Sequence, residues 1–145
     1  MDAPPRPGDL IELDRERCIE LLAGAHLVRI AFVTDHGPSV LPVNHLVHDG
    51  SLYFRTAPGS KLGIAAADGP VAIEADGGDA ATRTGWSVVV HGRASIVTDE
   101  GVSEALYERP FEPWALPDDR AFWVRVPLDQ ISGRRIQRPS SPGTE

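Results

Sequence analysis

From Leu27 onward the chain is cut at short intervals by clusters of turn-forming residues: Asp35-His36-Gly37-Pro38, Asp49-Gly50, Pro58-Gly59, Asp68-Gly69-Pro70 and Gly77-Gly78-Asp79. Glycine and proline are the strongest local punctuation a sequence has, so the intervening segments must be strands or short helices. Their side chains favour strands. Val28, Ile30 and Phe32 alternate with Leu27, Arg29 and Val33, the period of a half-buried strand. A second strand is expected over 39–47. Asp49-Gly50 then links Val47 to Leu52-Tyr53-Phe54, and because both central positions of a type I′ turn need positive φ, this pair is a strong hairpin signal. The first three strands should form an antiparallel meander.

Ahead of them, Asp14 can cap a helix over 14–24, whose apolar stripe is Cys18, Leu21, Leu22 and Ala25. Beyond them, Ser60 can cap a short helix ending near Ala67, with a turn expected at Asp68-Gly69-Pro70. A fourth strand is expected over 71–74, a loop at Gly77-Gly78-Asp79, and a long fifth strand from Trp86 to Val97 with Gly92 at a bulge or bend. Thr98 can cap a helix over 99–108. Phe122 to Val126 makes a sixth strand, and Gly133 to Ile136 a short terminal one. The expected fold class is therefore mostly β with minor α: six or seven antiparallel strands, closed into a small barrel that leaves no open edge. Leu41, Val43, Leu46 and Val47 place apolar residues on both faces of one strand, so a helix or a second subunit should cover the face outside the barrel. Residues 10–138 read as one domain. Pro4, Pro5 and Pro7 mark residues 1–9 as a flexible lead-in, and 139–145 read as a flexible tail.

Composition narrows the function classes. A net charge of −7 argues against a non-specific nucleic-acid binder, whose affinity comes from a basic surface. No segment approaches the roughly 20 apolar residues of a membrane span, and the first residues lack the apolar run of a signal peptide. With Cys18 as the only cysteine, neither an intramolecular disulfide nor a cysteine-built zinc site is available, which suits a reducing cytoplasm. Among 14 basic residues Lys61 is the only lysine.

That lysine stands in the segment with the clearest chemistry. A strand delivers Arg55 and Thr56, Pro58-Gly59 turns the chain, and Ser60-Lys61 opens a helix. Free N–H groups at a helix start favour an anion. Arg55 can grip a phosphate bidentately, Thr56 and Ser60 can donate hydroxyl hydrogen bonds, and Lys61 adds a point charge. The competing reading is an ordinary loop with a capped helix and two solvated charges. The Gly-x-x-x-x-Gly-Lys-[Ser/Thr] loop of nucleotide phosphate sites is absent, as is Gly-x-Gly-x-x-Gly after a strand.

Three blocks in order, Leu41-Pro42-Val43-Asn44-His45, Leu52 to Lys61, and Gly85-Trp86-Ser87-Val88-Val89-Val90-His91-Gly92-Arg93-Ala94, resemble the pyridoxamine 5′-phosphate oxidase-like, FMN-binding split-barrel family, in its short bacterial branch. The resemblance covers residues 16–136. It implies a homodimer of six-stranded antiparallel split barrels with two FMN sites at the subunit interface. Arg55, Thr56, Ser60 and Lys61 would hold the phosphate, and Gly59 would allow close backbone approach. Pro42, Val43 and Asn44 would lie along the isoalloxazine, and Trp86, Ser87 and Val88 would approach from the partner subunit. The implied function is an FMN-dependent oxidoreductase passing electrons from a donor to a small planar substrate. Two alternatives share the fold: a reductase using a deazaflavin coenzyme, whose acidic tail calls for more basic residues than Arg55, Lys61 and Arg83, or a non-catalytic flavin-binding or ligand-sensing dimer. The arginine-containing C-terminal signature of true pyridoxamine phosphate oxidases is matched only loosely by Arg134-Arg135-Ile136-Gln137-Arg138-Pro139, so vitamin B6 oxidation is not implied.

On the substrate side, His45 beside Asn44 and Trp114 among prolines are candidates, each set against a plain core or interface role. His45 and His48 are three apart on a strand and face opposite ways, so no metal site is expected. Glu74 and Asp76 share a strand face, an arrangement more typical of a solvated edge than of glycosidase chemistry.

Overall fold

Helix α1 (Arg15–Gly24) starts where its cap predicts: the Asp14 carboxylate accepts from the Arg17 N–H at 2.8 Å, and Cys18 and Leu22 are buried beneath it. This computed structural model describes residues 3–111, 113–115 and 119–139. Six of the expected tail residues, 140–145, lie outside that set, and so do Met1 and Asp2. The proline-rich lead-in ends in a turn tied to the barrel, with the Gly8 N–H donating to the Gln137 carbonyl at 3.1 Å.

The expected meander is instead two hairpins, β2 (Val28–Thr34) with β3 (Gly37–Val43) and β4 (Leu46–His48) with β5 (Ser51–Thr56). Asp49 and Gly50 both have positive φ, 47° and 78°, as a type I′ turn requires. The strand expected over 39–47 is broken, because after Val43 the chain leaves its ladder with β2 and resumes pairing at Leu46 against Tyr53. At the break His45 turns into the protein, where its Nε2 donates to the Leu22 carbonyl at 2.7 Å.

After α2 (Lys61–Ala66), β6 (Asp68–Asp79) and β7 (Thr84–Ile96) form a long hairpin, paired from Asp68–Ser95 to Asp79–Thr84. Asp68-Gly69-Pro70 follows the end of α2 and itself begins the strand. One sequence expectation is corrected here: Gly77-Gly78 lies inside the strand instead of in a loop. Gly77 is needed because the Trp86 indole lies where its Cβ would be, 2.7 Å from Nε1. Glycine here marks close approach, not chain reversal. Helix α3 (Glu100–Tyr107) is capped by Asp99, one residue later than expected, through the Val102 N–H. Strands β8 (Phe122–Pro127), β9 (Gln130–Ile136) and the unforeseen β1 (Leu10–Leu13) complete the sheet.

All the pairings are antiparallel, in the order β3-β2-β6-β7-β8-β5-β4, with β9 pairing both β7 and β1. Nine strands thus stand among the described residues where six or seven were expected. The two ends of the main path, β3 and β4, are consecutive in the chain. Covalent connection through Asn44-His45 therefore takes over where the path of hydrogen bonds ends, and the barrel is split there. Strand β7 changes partner along its length, pairing β9 through His91 and β8 from Ser95. Gly92 sits at the changeover, its α-carbon close against Val126.

Inside lie Ile30, Leu52, Phe54, Ile73, Val90 and Val124, closed off by Cys18 and Leu22 of α1 and Leu62 and Ala66 of α2. A second, smaller cluster of Tyr53, Leu106 and Trp123 lies under α3. Outside, Val33 and Val40 remain 66% and 59% exposed on one face of β2 and β3, and Leu41 is 44% exposed on the opposite face. Phe54 is the largest fully buried side chain. Phe54→Ala should cost about 3–5 kcal/mol, read from urea unfolding; a loss under about 1 kcal/mol would mean that the core is not organised around this ring.

Candidate functional site

The Ala57-Pro58-Gly59-Ser60 segment folds as a type II turn: proline presets the second position, Gly59 takes φ +80° at the third, and the Ser60 N–H donates to the Ala57 carbonyl at 3.4 Å. Ser60 then caps α2, its Oγ accepting from the Gly63 N–H at 2.9 Å while donating to the Ala57 carbonyl at 2.8 Å. A Cβ on Gly63 would run into that same carbonyl, so glycine lets the helix nest on the turn. Thr56 Oγ1 lies 3.2 Å from Ser60 Oγ. The Ser60 hydroxyl proton is thus already committed to the turn. With that proton spent on the Ala57 carbonyl, Thr56 is the donor in its bond to Ser60, and its proton reaches a ligand only by turning away from Ser60.

Arg55 leaves β5 opposite Trp123 of β8. Its guanidinium carbon lies 5.5 Å from the Tyr107 ring centroid and 5.6 Å from that of Trp123, stacked between a helix and a strand. Nη2 donates to the Ala121 carbonyl at 3.4 Å, while the buried Nε has no hydrogen-bond partner. No carboxylate among the described residues pairs with this cation. Aromatic faces strip water from a guanidinium while keeping it charged, which strengthens its hold on an anion.

Arg55 and Thr56 form one end of a cavity of about 530 Å³, a size that takes a cofactor-sized molecule. Pro42, Val43 and Asn44 line it from the barrel split, and Phe111, Pro113 and Trp114 from the segment after α3. Among the described residues, the walls are mostly apolar and Arg55 is the only basic one. The Asn44 side chain crosses between two segments, donating through Nδ2 to the His26 carbonyl at 3.1 Å and accepting from the Trp114 N–H at 2.8 Å. One charged end, a mostly apolar slot and a few fixed polar groups are the kind of lining a flavin requires, with the Arg55 guanidinium as the charged group that a phosphate would meet.

The other sequence candidates fall elsewhere. Lys61, the exposed first residue of α2, and Gly59 stand at the turn beside the cavity without lining it. Trp86 and Ser87 line separate clefts on the β7–β9 side, with Arg135 and Ile136. The side chain of Val88 is buried in the core of this chain and does not line the cavity. His45 is a buried histidine bonded to Leu22, outside the cavity lining. His48 instead lies 3.2 Å from Arg109. Glu74 and Asp76 share Arg29, at 3.0 and 2.8 Å, on an exposed face. Tyr107, Ala121 and Leu27 were not foreseen. They reach the site only through helix packing and strand pairing, and no local motif marks them.

Burial holds the His45 imidazole below its ordinary pKa, partly opposed by the bond to the Leu22 carbonyl. The unfolded chain therefore takes up the proton first, so this group's contribution is intact above about pH 6.5 and is lost as pH falls below it. Urea midpoints should drop across that range, and His45→Gln should flatten the drop; an unchanged slope in the variant would assign the acid sensitivity to other groups.

Comparison with known proteins agrees with the geometry. The pyridoxamine 5′-phosphate oxidase family model matches residues 14–135. The FAD binding protein from Mycobacterium smegmatis superposes with a TM-score of 0.73 at 38% identity, over 88% of this chain and 100% of that one. A conserved protein of unknown function from Corynebacterium diphtheriae gives 0.72 at 26% identity, over 88% and 98%. The uncharacterized protein Rv0080 of Mycobacterium tuberculosis is 40% identical over 117 residues, 77% of this chain and 76% of the relative. With a family model spanning most of its length and relatives of this identity, the chain belongs to the pyridoxamine 5′-phosphate oxidase-like family.

Proposed function

We propose that the chain binds a flavin in the cavity between the barrel split and the segment after α3, and acts as a flavin-dependent oxidoreductase on a small planar substrate. The observation that carries this reading is the Arg55 guanidinium, stacked against Tyr107 and Trp123, at the end of a mostly apolar slot. Arg55 would hold the phosphate with Thr56, and Lys61 would add long-range attraction from the start of α2. Pro42, Val43 and Asn44 would lie along the ring system, and Trp114 would face the substrate side. When bound, the flavin supplies the hydride and electron transfer, so the protein's part is to bind, orient and exclude water.

FMN and FAD both fit a site with this charged end. The Mycobacterium smegmatis relative is described as FAD binding, which sets FAD beside the FMN that the sequence favours. A deazaflavin coenzyme is the weaker candidate: Arg83, counted toward its acidic tail, lies in the β6–β7 turn and does not line the cavity.

The functional unit we propose is a homodimer in the reducing cytoplasm. Two features support it: apolar Val40 and Leu41 are uncovered on opposite faces of β3, and Trp86 and Ser87 sit apart from the cavity within one chain. A second copy would cover the former and bring its own Trp86 and Ser87 to the ring. Native mass spectrometry should give twice the mass of one chain; a monomer that still binds flavin would contradict this arrangement.

The absorbance spectrum of the purified protein, followed by titration with FMN and with FAD, tests the main reading. Flavin bands or micromolar binding of either are expected, and neither would sink it. Arg55→Ala should weaken binding by about 1.5–3 kcal/mol, through loss of a charge-assisted contact, and Lys61→Ala by less. Unchanged affinity in both variants would put the phosphate elsewhere. Substrate turnover after anaerobic reduction would separate an enzyme from a flavin-binding sensor.

A further inference from the structure

We infer that Asn44 is a positioning residue that straps residues 113–115 across the mouth of the cavity and so sets how long a flat ligand stays beneath Trp114. The inference rests on the flavin reading of that cavity.

Asn44 stands at the barrel split, in the gap between β3 and β4 where neither strand supplies it a ladder partner. Its side-chain amide is used at both ends. Nδ2 donates to the carbonyl of His26, in the connection between α1 and β2, and Oδ1 accepts from the backbone N–H of Trp114, 70 residues away. Donor and acceptor partners together fix which way the amide points. Among the described residues, the bond to Asn44 is the one hydrogen bond that residues 113–115 make. They belong to no helix or strand, yet Pro113, Trp114 and Ala115 all line the cavity. Trp114 remains 71% exposed, a large aromatic residue with much of its surface free.

A segment outside any helix or strand opens more easily when a hydrogen bond tying it to the barrel is lost, and an aromatic ring on it gains cover when a flat ligand lies below it. The strap therefore acts by closure. It differs from direct ligation of the cofactor by Asn44, in which the amide would touch the ring and Trp114 would be independent of it.

Amide hydrogen exchange on the flavin-free protein tests the tether itself. Asn44→Leu should speed exchange at the Trp114 amide by about tenfold, the scale of one lost hydrogen bond, while β5 amides stay protected. Asn44→Asp, which keeps the acceptor, should retain most of the protection. Release of bound FMN, followed by flavin fluorescence after rapid dilution, tests the consequence. Asn44→Leu and Trp114→Ala should each speed release by about tenfold, and the double variant no more than either alone, because both remove the same closure. Unchanged exchange at Trp114 in Asn44→Leu, or additive effects on release, would overturn the inference. If the unaltered protein binds neither FMN nor FAD, the flavin reading fails, and the exchange measurement still decides whether the strap exists.

Discussion

Because Leu52 and Phe54 point into the barrel while Tyr53 packs beneath α3 with Leu106 and Trp123, strand β5 is gripped from both sides. Burial of alternate side chains in two separate clusters removes the freedom that a surface strand would have. What leaves the end of such a strand is well aimed. Arg55 continues the face of Tyr53 and enters the aromatic stack, and Thr56 continues the face of Phe54 and meets the capped turn at Ser60. The two cores therefore act on the candidate site through the backbone they share.

The stack changes the electrostatics as well as the geometry. An exposed arginine is surrounded by water and counterions, and its attraction for an anion is largely screened. Tyr107 and Trp123 replace much of that water with aromatic faces, and no carboxylate among the described residues neutralises the charge. On a chain of net charge −7, such a local, partly dehydrated cation is how an anion can be attracted against the overall field. The same packing explains why Ser60, an equally plausible donor by residue type, is less available: its hydroxyl holds the turn and helix together.

The barrel split places the rest. Where the path of pairing ends between β3 and β4, the residues there are free of ladder constraints, and both take side-chain partners instead. His45 turns inward to Leu22, and Asn44 reaches outward to His26 and Trp114. One interruption in the sheet thus yields a buried neutral imidazole on one side and a cavity wall on the other.

Much of this was legible in the sequence, for local reasons. Asp14 as a cap, Asp49-Gly50 as a type I′ hairpin, Pro58-Gly59 as a turn and the alternation over 28–33 each depend on a few neighbouring residues whose backbone preferences agree. The grouping of Arg55 with Thr56 was visible in the same way, whereas Pro42-Val43-Asn44 was singled out only by the family resemblance. Gly77-Gly78 was misread because a glycine that bends a chain and a glycine that makes room for Trp86 look alike until the opposite strand is in place. The sequence could not assign His45 a partner, because the Leu22 carbonyl is 23 residues away. The sequence by itself determined the strand-and-turn order and the charged end of the site, which follow from short-range backbone chemistry. Only the tertiary structure decided that Tyr107 and Trp123 enclose Arg55, that Asn44 is tied to Trp114, and that Val88 and His45 are buried, since each depends on contacts between segments far apart in the chain.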